Sequence, residues 1–150
     1  MWRPARPAED EQIVGLCLAL YREDPSPTSV TPEQVRHTLA TFRREPWRGR
    51  AAVLELDGAI QGYALLVSFW SNEFGGEVCE VDELYVAAAH RGRGHGTALF
   101  DAIERAGLWP SPPAALALGV TPGNARARAL YERLGFQVTG TTLVKRIRLA

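Results

Sequence analysis

A chain of 150 residues, 46% apolar and 23% charged, has the size and composition of a folded globular domain, not of a disordered or fibrous protein. Its 17 Lys and Arg balance 17 Asp and Glu with no long run of either sign, which argues against a dedicated nucleic-acid binder. No apolar run approaches the ~18 residues of a membrane span, and Met1-Trp2-Arg3-Pro4 lacks the apolar core of a secretion signal. A single domain over residues 1–150, cytoplasmic and without a membrane partner, is therefore expected.

In chain order, Arg3 to Arg6 reads as a short edge strand, because its prolines keep it out of a sheet centre. From Glu9, the positions Ile13, Leu16, Cys17 and Leu20 share one helical face, and Asp24-Pro25-Ser26-Pro27 ends that helix. Thr31-Pro32-Glu33-Gln34 combines an N-cap, a first-turn proline and an acidic first turn. It opens a second helix with Val35, Leu39 and Phe42 on one side. Ala51 to Leu56 and Ile60 to Trp70 are strands joined by the hairpin pair Asp57-Gly58, and Asn72 to Gly76 is a loop. Val78 to Val86 is a further strand, and Thr97 to Leu108 a helix packing Leu99, Ile103 and Ala106. The continuous apolar run Ala114 to Val120 has the pattern of a strand covered on both faces. Thr121-Pro122-Gly123 turns into a helix from Asn124 to Leu134, and Leu143 to Leu149 closes the chain as a strand. The order β-α-α-β-β-β-α-β-α-β predicts an α/β fold with a mixed sheet and helices on both faces. Cys17 and Cys79 lie in apolar stretches and read as reduced, buried thiols.

The segment Arg91-Gly92-Arg93-Gly94-His95-Gly96 stands between a strand and a helix. A helix start presents unpaired N–H groups and a partial positive charge, so it favours anions. Its glycines leave no Cβ to hold a diphosphate away from the backbone, and Arg91 and Arg93 can add charge-assisted bonds to phosphate oxygens. The spacing fits neither the dinucleotide fingerprint G-x-G-x-x-G nor an NTP loop, but it does fit Arg/Gln-x-x-Gly-x-Gly. A flexible turn in an Arg- and Gly-rich chain is the plain alternative. A second pattern lies downstream. Asn124, Ala127 and Tyr131 fall on one helical face, and Gly135-Phe136 follows. Each has a structural explanation alone, as N-cap, core aromatic or helix terminator. Together, downstream of the glycine segment, they rarely arise by chance.

In Val81 to Val86, Arg91 to Gly96 and Asn124 to Phe136, in that order and spacing, the chain resembles the GNAT family of N-acetyltransferases. The resemblance implies acetyl-CoA as co-substrate, with its pyrophosphate on Arg91, Gly92, Arg93, Gly94, His95 and Gly96, and Thr97 beside them. It implies pantetheine between splayed parallel strands Val78 to Val86 and Ala114 to Val120, bonded by main-chain groups of Leu84, Tyr85 and Val86. A backbone N–H there would stabilise the oxyanion. Tyr131 matches the tyrosine that protonates the departing thiolate, and Asn124 an asparagine that holds the cofactor arm. A neutral amine attacks directly, so the chemistry requires no metal, and His37, His90 and His95 are too scattered for a zinc site.

The base is sought among Glu80, Asp82 and Glu83, with Glu80 and Asp82 first and Glu83 third; acids at a polar strand end facing solvent are the alternative. Strict alternation puts Glu80, Asp82, Leu84 and Val86 on one face and Val81, Glu83 and Tyr85 on the other; the bulge common in the family would shift that phase. Three acids in four positions suggest a small cationic amine as acceptor. Trp2, Trp47, Phe69 and Trp70 read as core or interface aromatics, while Phe69 to Glu73, placed beside the expected cleft, could shape the acceptor pocket. Relatives are often dimers, so a homodimer is compatible with the resemblance. Acetylation of protein amines, a non-catalytic acyl-CoA sensor and an unrelated phosphate-binding α/β domain are the competing readings.

Overall fold

The computed structural model describes residues 1–148. Strands β1 (Trp2–Pro4), β2 (Gly49–Leu56), β3 (Ala59–Ser71), β4 (Gly76–Val86) and β5 (Ala115–Leu118) lie side by side in chain order. The first four are antiparallel in succession, and β5 runs parallel to β4, so the sheet is mixed. Helices α1 (Asp10–Glu23) and α2 (Pro32–Arg44) cover one face, and α3 (His95–Glu104) and α4 (Ala125–Arg133) the other.

Alternation along the central strands builds both layers. Ala52, Leu54, Ala64 and Leu66 pack with Leu99, Phe100 and Ile103 of α3, while Val53, Tyr63 and Leu65 pack with Ile13, Cys17, Val35 and Leu39. Local chemistry sets the boundaries. Thr31 and Gln34 form a reciprocal capping box, with each side chain accepting from the other's backbone N–H. Asp57 and Gly58 take φ of 50° and 77°, the two left-handed residues that a tight hairpin needs. α3 stops at Glu104 and not at Leu108, because Ala106 turns left-handed with φ 57°.

Leu65 pairs with Glu83 but Leu66 pairs with Val81, so Asp82 is the extra residue of a β-bulge. The bulge overturns strict alternation. Val81 packs on the same face as Leu84 and Val86, while Glu83 and Tyr85 face α1.

Two further expectations change. β5 is four residues long and half-buried, because α1 and α2 cover β2 to β4 and leave its second face open. The closing strand expected from Leu143 does not form within residues 143–148, where Leu143, Val144 and Ile147 stand exposed. β-Propensity requires a ladder partner to act on, and the short β5 edge offers few backbone groups. Leu149, the end of that expected strand, lies outside the described residues.

Candidate active site

β4 and β5 stay paired only from Val78↔Ala115 to Val81↔Leu118. β4 then runs on to Val86 while the chain leaves β5, so the strands part at the bulge. On that side, alternate N–H and C=O groups of residues 82–86 lack a ladder partner. The opening is a cavity of about 520 Å³ with Leu84, Tyr85 and Val86 along β4, the glycine loop and start of α3 on one side, and α4 on another.

The glycine loop is built for close approach. Gly92 and Gly94 have φ of 73° and 82°, conformations that disfavour any Cβ. Gly94 is the N-cap of α3, and the first helical bond runs from Ala98 N–H to its carbonyl at 3.0 Å. The N–H groups of His95, Gly96 and Thr97 thus have no partner within the helix. Among the described residues, a Cβ on Gly94 would meet nothing within 4 Å beyond its chain neighbours, and Gly94 lines the cavity with His95, Gly96 and Thr97. Gly96 serves packing instead, since a Cβ there would lie 2.8 Å from Leu130 Cδ2 of α4. Trp2 Nε1 donates to the His95 carbonyl at 2.7 Å and ties the loop to β1. Burial, then neighbouring positive charge, lowers the His95 pKa, which keeps its imidazole neutral near pH 7. Open space, three aligned donors and a helix N-terminus suit a diphosphate.

Of the two arginines of the loop, Arg91 lines the cavity. Arg91 Nε donates to the Val86 carbonyl at 2.7 Å and a terminal nitrogen to Glu23 at 2.5 Å, and its guanidinium lies over the Tyr85 ring at 5.1 Å. Tyr85 also donates its hydroxyl to Glu23 at 2.8 Å. Arg91 therefore braces the loop against β4 and α1 through two of its five N–H donors. Arg93 is exposed and does not line the cavity. Arg126 of α4, unmarked in the sequence reading, does line it; its guanidinium comes 3.6 Å from where a Cβ of Gly92 would stand.

Tyr131 and Asn124 both line the cavity. Asn124 caps α4 by accepting from Ala127 N–H at 3.1 Å, and its amide donates to Asp24 at 3.4 Å. The Tyr131 ring packs edge-on against Phe100 and Phe136, at 6.1 and 5.9 Å between centroids. Burial, and next the Asp24 charge, raise its hydroxyl pKa, so it is protonated at neutral pH.

Glu80, Asp82 and Glu83 do not line this cavity. Glu83 faces α1 and accepts from Tyr63 and Tyr21 hydroxyls at 2.7 and 2.8 Å and from Cys17 Sγ at 3.6 Å. Burial pushes the Cys17 and Cys79 thiols up to about 12, leaving both un-ionised. Asp82 reaches solvent at the bulge; desolvation, then the carboxylates of Glu83 and Glu80, raise its pKa. Phe69 to Glu73 is not beside the cleft. β3 is antiparallel to β4, which pairs Trp70 with Glu77 at the start of β4, the far end of the sheet. Trp2 is buried in the core, whereas Trp47, Phe69 and Trp70 are exposed.

The model of the Acetyltransferase (GNAT) family matches residues 13–136. Over 132 residues the chain is 45% identical to a mycothiol acetyltransferase of Kineococcus radiotolerans; the match takes in 80% of this chain and 40% of that longer protein. The fold superposes on a possible acetyltransferase from Clostridium difficile 630 with a TM-score of 0.81 at 17% identity, covering 100% of this chain and 98% of that one. An aminoglycoside N-acetyltransferase in complex with CoA gives a TM-score of 0.72 at 20% identity, covering 99% and 95%. The structural likenesses speak for the fold, and the family match, which spans strand-splay, glycine loop and α4 alike, settles the affiliation: the chain belongs to the GNAT family of acetyltransferases.

Proposed function

We propose that this chain transfers the acetyl group of acetyl-CoA to the primary amine of a small cationic acceptor. The observation that carries the reading is the cleft where β4 and β5 part, lined by both the start of α3 and Tyr131. Acetyl-CoA supplies the activated thioester when bound. The N–H groups at the start of α3 take its diphosphate, and main-chain groups of Leu84 to Val86 other than the Val86 carbonyl, which accepts from Arg91, take the amides of its arm. Asn124 holds the arm, and Tyr131 returns a proton to the thiolate. Asp82 and Glu80 remain ahead of Glu83 as the base, acting through water. A raised pKa brings Asp82 closer to the range where a base is useful, whereas Glu83 already accepts from three donors.

Thiol release from acetyl-CoA with spermidine, glucosamine, lysine and kanamycin tests the reading. Turnover of at least one amine is expected. Acetyl-CoA at 100 times its Kd should also raise stability by about 2.7 kcal/mol. Stabilisation with no turnover on any amine would make the chain a binding module, and no stabilisation would overturn the reading altogether.

The arginine geometry gives a finer expectation. Arg126→Ala should weaken CoA about tenfold or more while sparing a pantetheine fragment without the nucleotide, since a charge-assisted bond contributes about 1.5–3 kcal/mol. Arg91→Ala should weaken both ligands and lower the Tm, because it unties the loop from Val86 and Glu23. Calorimetry that finds Arg126→Ala indistinguishable from the wild type would remove Arg126 from the phosphate site.

A further inference from the structure

We propose that Asp24 is the docking carboxylate for the acceptor, holding its ammonium group in the cleft beside Tyr131. The inference rests on the amine-acetylating reading above and names a group that the motifs do not mark.

Two carboxylates line the cavity, Glu23 and Asp24, at the C-terminal end of α1. Glu23 is engaged by the Arg91 guanidinium and the Tyr85 hydroxyl. Asp24 has only neutral side-chain donors among the described residues: Thr121 Oγ1 at 2.8 Å and, at a long 3.4 Å, Asn124 Nδ2. A carboxylate offers about four acceptor sites, so capacity remains for a charged donor. The cleft thus carries both signs. Arg126 and the start of α3 attract anions at the glycine loop, while Asp24 is the cavity's carboxylate without a cationic partner among the described residues.

A half-buried carboxylate without a cation is costly to desolvate and repels a polyphosphate, so it serves the cofactor poorly and an ammonium well. Its position is also held in advance. Thr121 and Asn124 lie beyond β5, 97 and 100 residues along the chain, and fix the carboxylate across the mouth of the splay. Asp24 and Tyr131 line the same cavity, and the Tyr131 hydroxyl feels the Asp24 charge, so a docked ammonium would share the cleft with the group proposed to face the thioester sulfur. A cation on Asp24 would offset that charge and make Tyr131 a readier acid only when the acceptor is present.

Asp24→Asn keeps the shape and removes the charge. With the fastest amine of the panel above, its KM is expected to rise about tenfold or more. The Kd of acetyl-CoA, measured by calorimetry, should stay within about twofold, and Asp24→Glu should recover part of the loss. Thr121→Val removes one contact that holds the carboxylate but leaves the charge, so the amine KM should rise less than in Asp24→Asn while the Kd of acetyl-CoA stays within about twofold. An unchanged amine KM in Asp24→Asn would overturn the proposal. So would a loss that falls on acetyl-CoA affinity and is copied by Thr121→Val, which would make Asp24 a clasp between loops. Failure of the wild type on every amine would instead overturn the acetyltransferase reading itself.

Discussion

Gly94→Val is expected to abolish measurable acetyl-CoA binding in a domain that still folds. Its chain neighbours aside, no described residue comes within 4 Å of the new Cβ, so the core has nothing to clash with. Gly94 lines the cavity together with His95, Gly96 and Thr97, whose N–H groups are proposed to take the diphosphate. Losing two charge-assisted bonds of about 1.5–3 kcal/mol each predicts a fall in affinity of roughly 10²–10⁴. The folded state bears a separate cost, because Gly94 has φ of 82°. A left-handed β-branched residue is disfavoured by about 1–2 kcal/mol or more, so a lowered Tm should accompany the loss. Calorimetry on material shown to be folded by circular dichroism checks both parts. Unchanged affinity would sink the assignment of this loop to the diphosphate.

Features carried by short, contiguous chemistry could be read before the fold was known. The glycine loop announces itself because left-handed backbone and an open helix start demand glycine at particular spacings. Thr31 to Gln34 and Asp57-Gly58 act within a single turn, so their boundaries came within a residue or two. Asn124 and Tyr131 were readable because one helical face places them together.

What stayed hidden depends on partners far along the chain. Alternation on β4 fails at Asp82 because a bulge is a property of two strands, and no residue in β4 alone reports its register with β3. Asp24 reads as a helix terminator in Asp24-Pro25, and only the fold brings Thr121 and Asn124 to it. The surroundings of Arg91 and Arg126 are hidden for the same reason. Glu23, 68 residues earlier, claims the first, and close approach of α4 to Gly92 delivers the second. The acids of β4 drew attention by local density, yet the cavity takes its carboxylates from α1.

Replacing Tyr131 by Phe should lower kcat by about 10²–10⁴ while the KM for acetyl-CoA barely moves. The substitution retains the ring and its edge-on packing against Phe100 and Phe136, so the core has little reason to loosen. It removes only the hydroxyl, which forms no hydrogen bond to another described residue, from a side chain that lines the cleft. Burial and the Asp24 charge raise the hydroxyl's pKa. That keeps the proton in place at neutral pH but makes its donation harder, and thiolates leave partly unassisted, so the low end of the range is expected. Coupling to Asp24 gives the experiment a second reading. If a docked ammonium relieves that charge, Asp24→Asn lacks the repulsion already, and its kcat should fall far less than that of Tyr131→Phe. Measured where chemistry limits turnover, full activity in a folded Tyr131→Phe enzyme would leave Tyr131 a core aromatic and remove the proposed acid from the reaction.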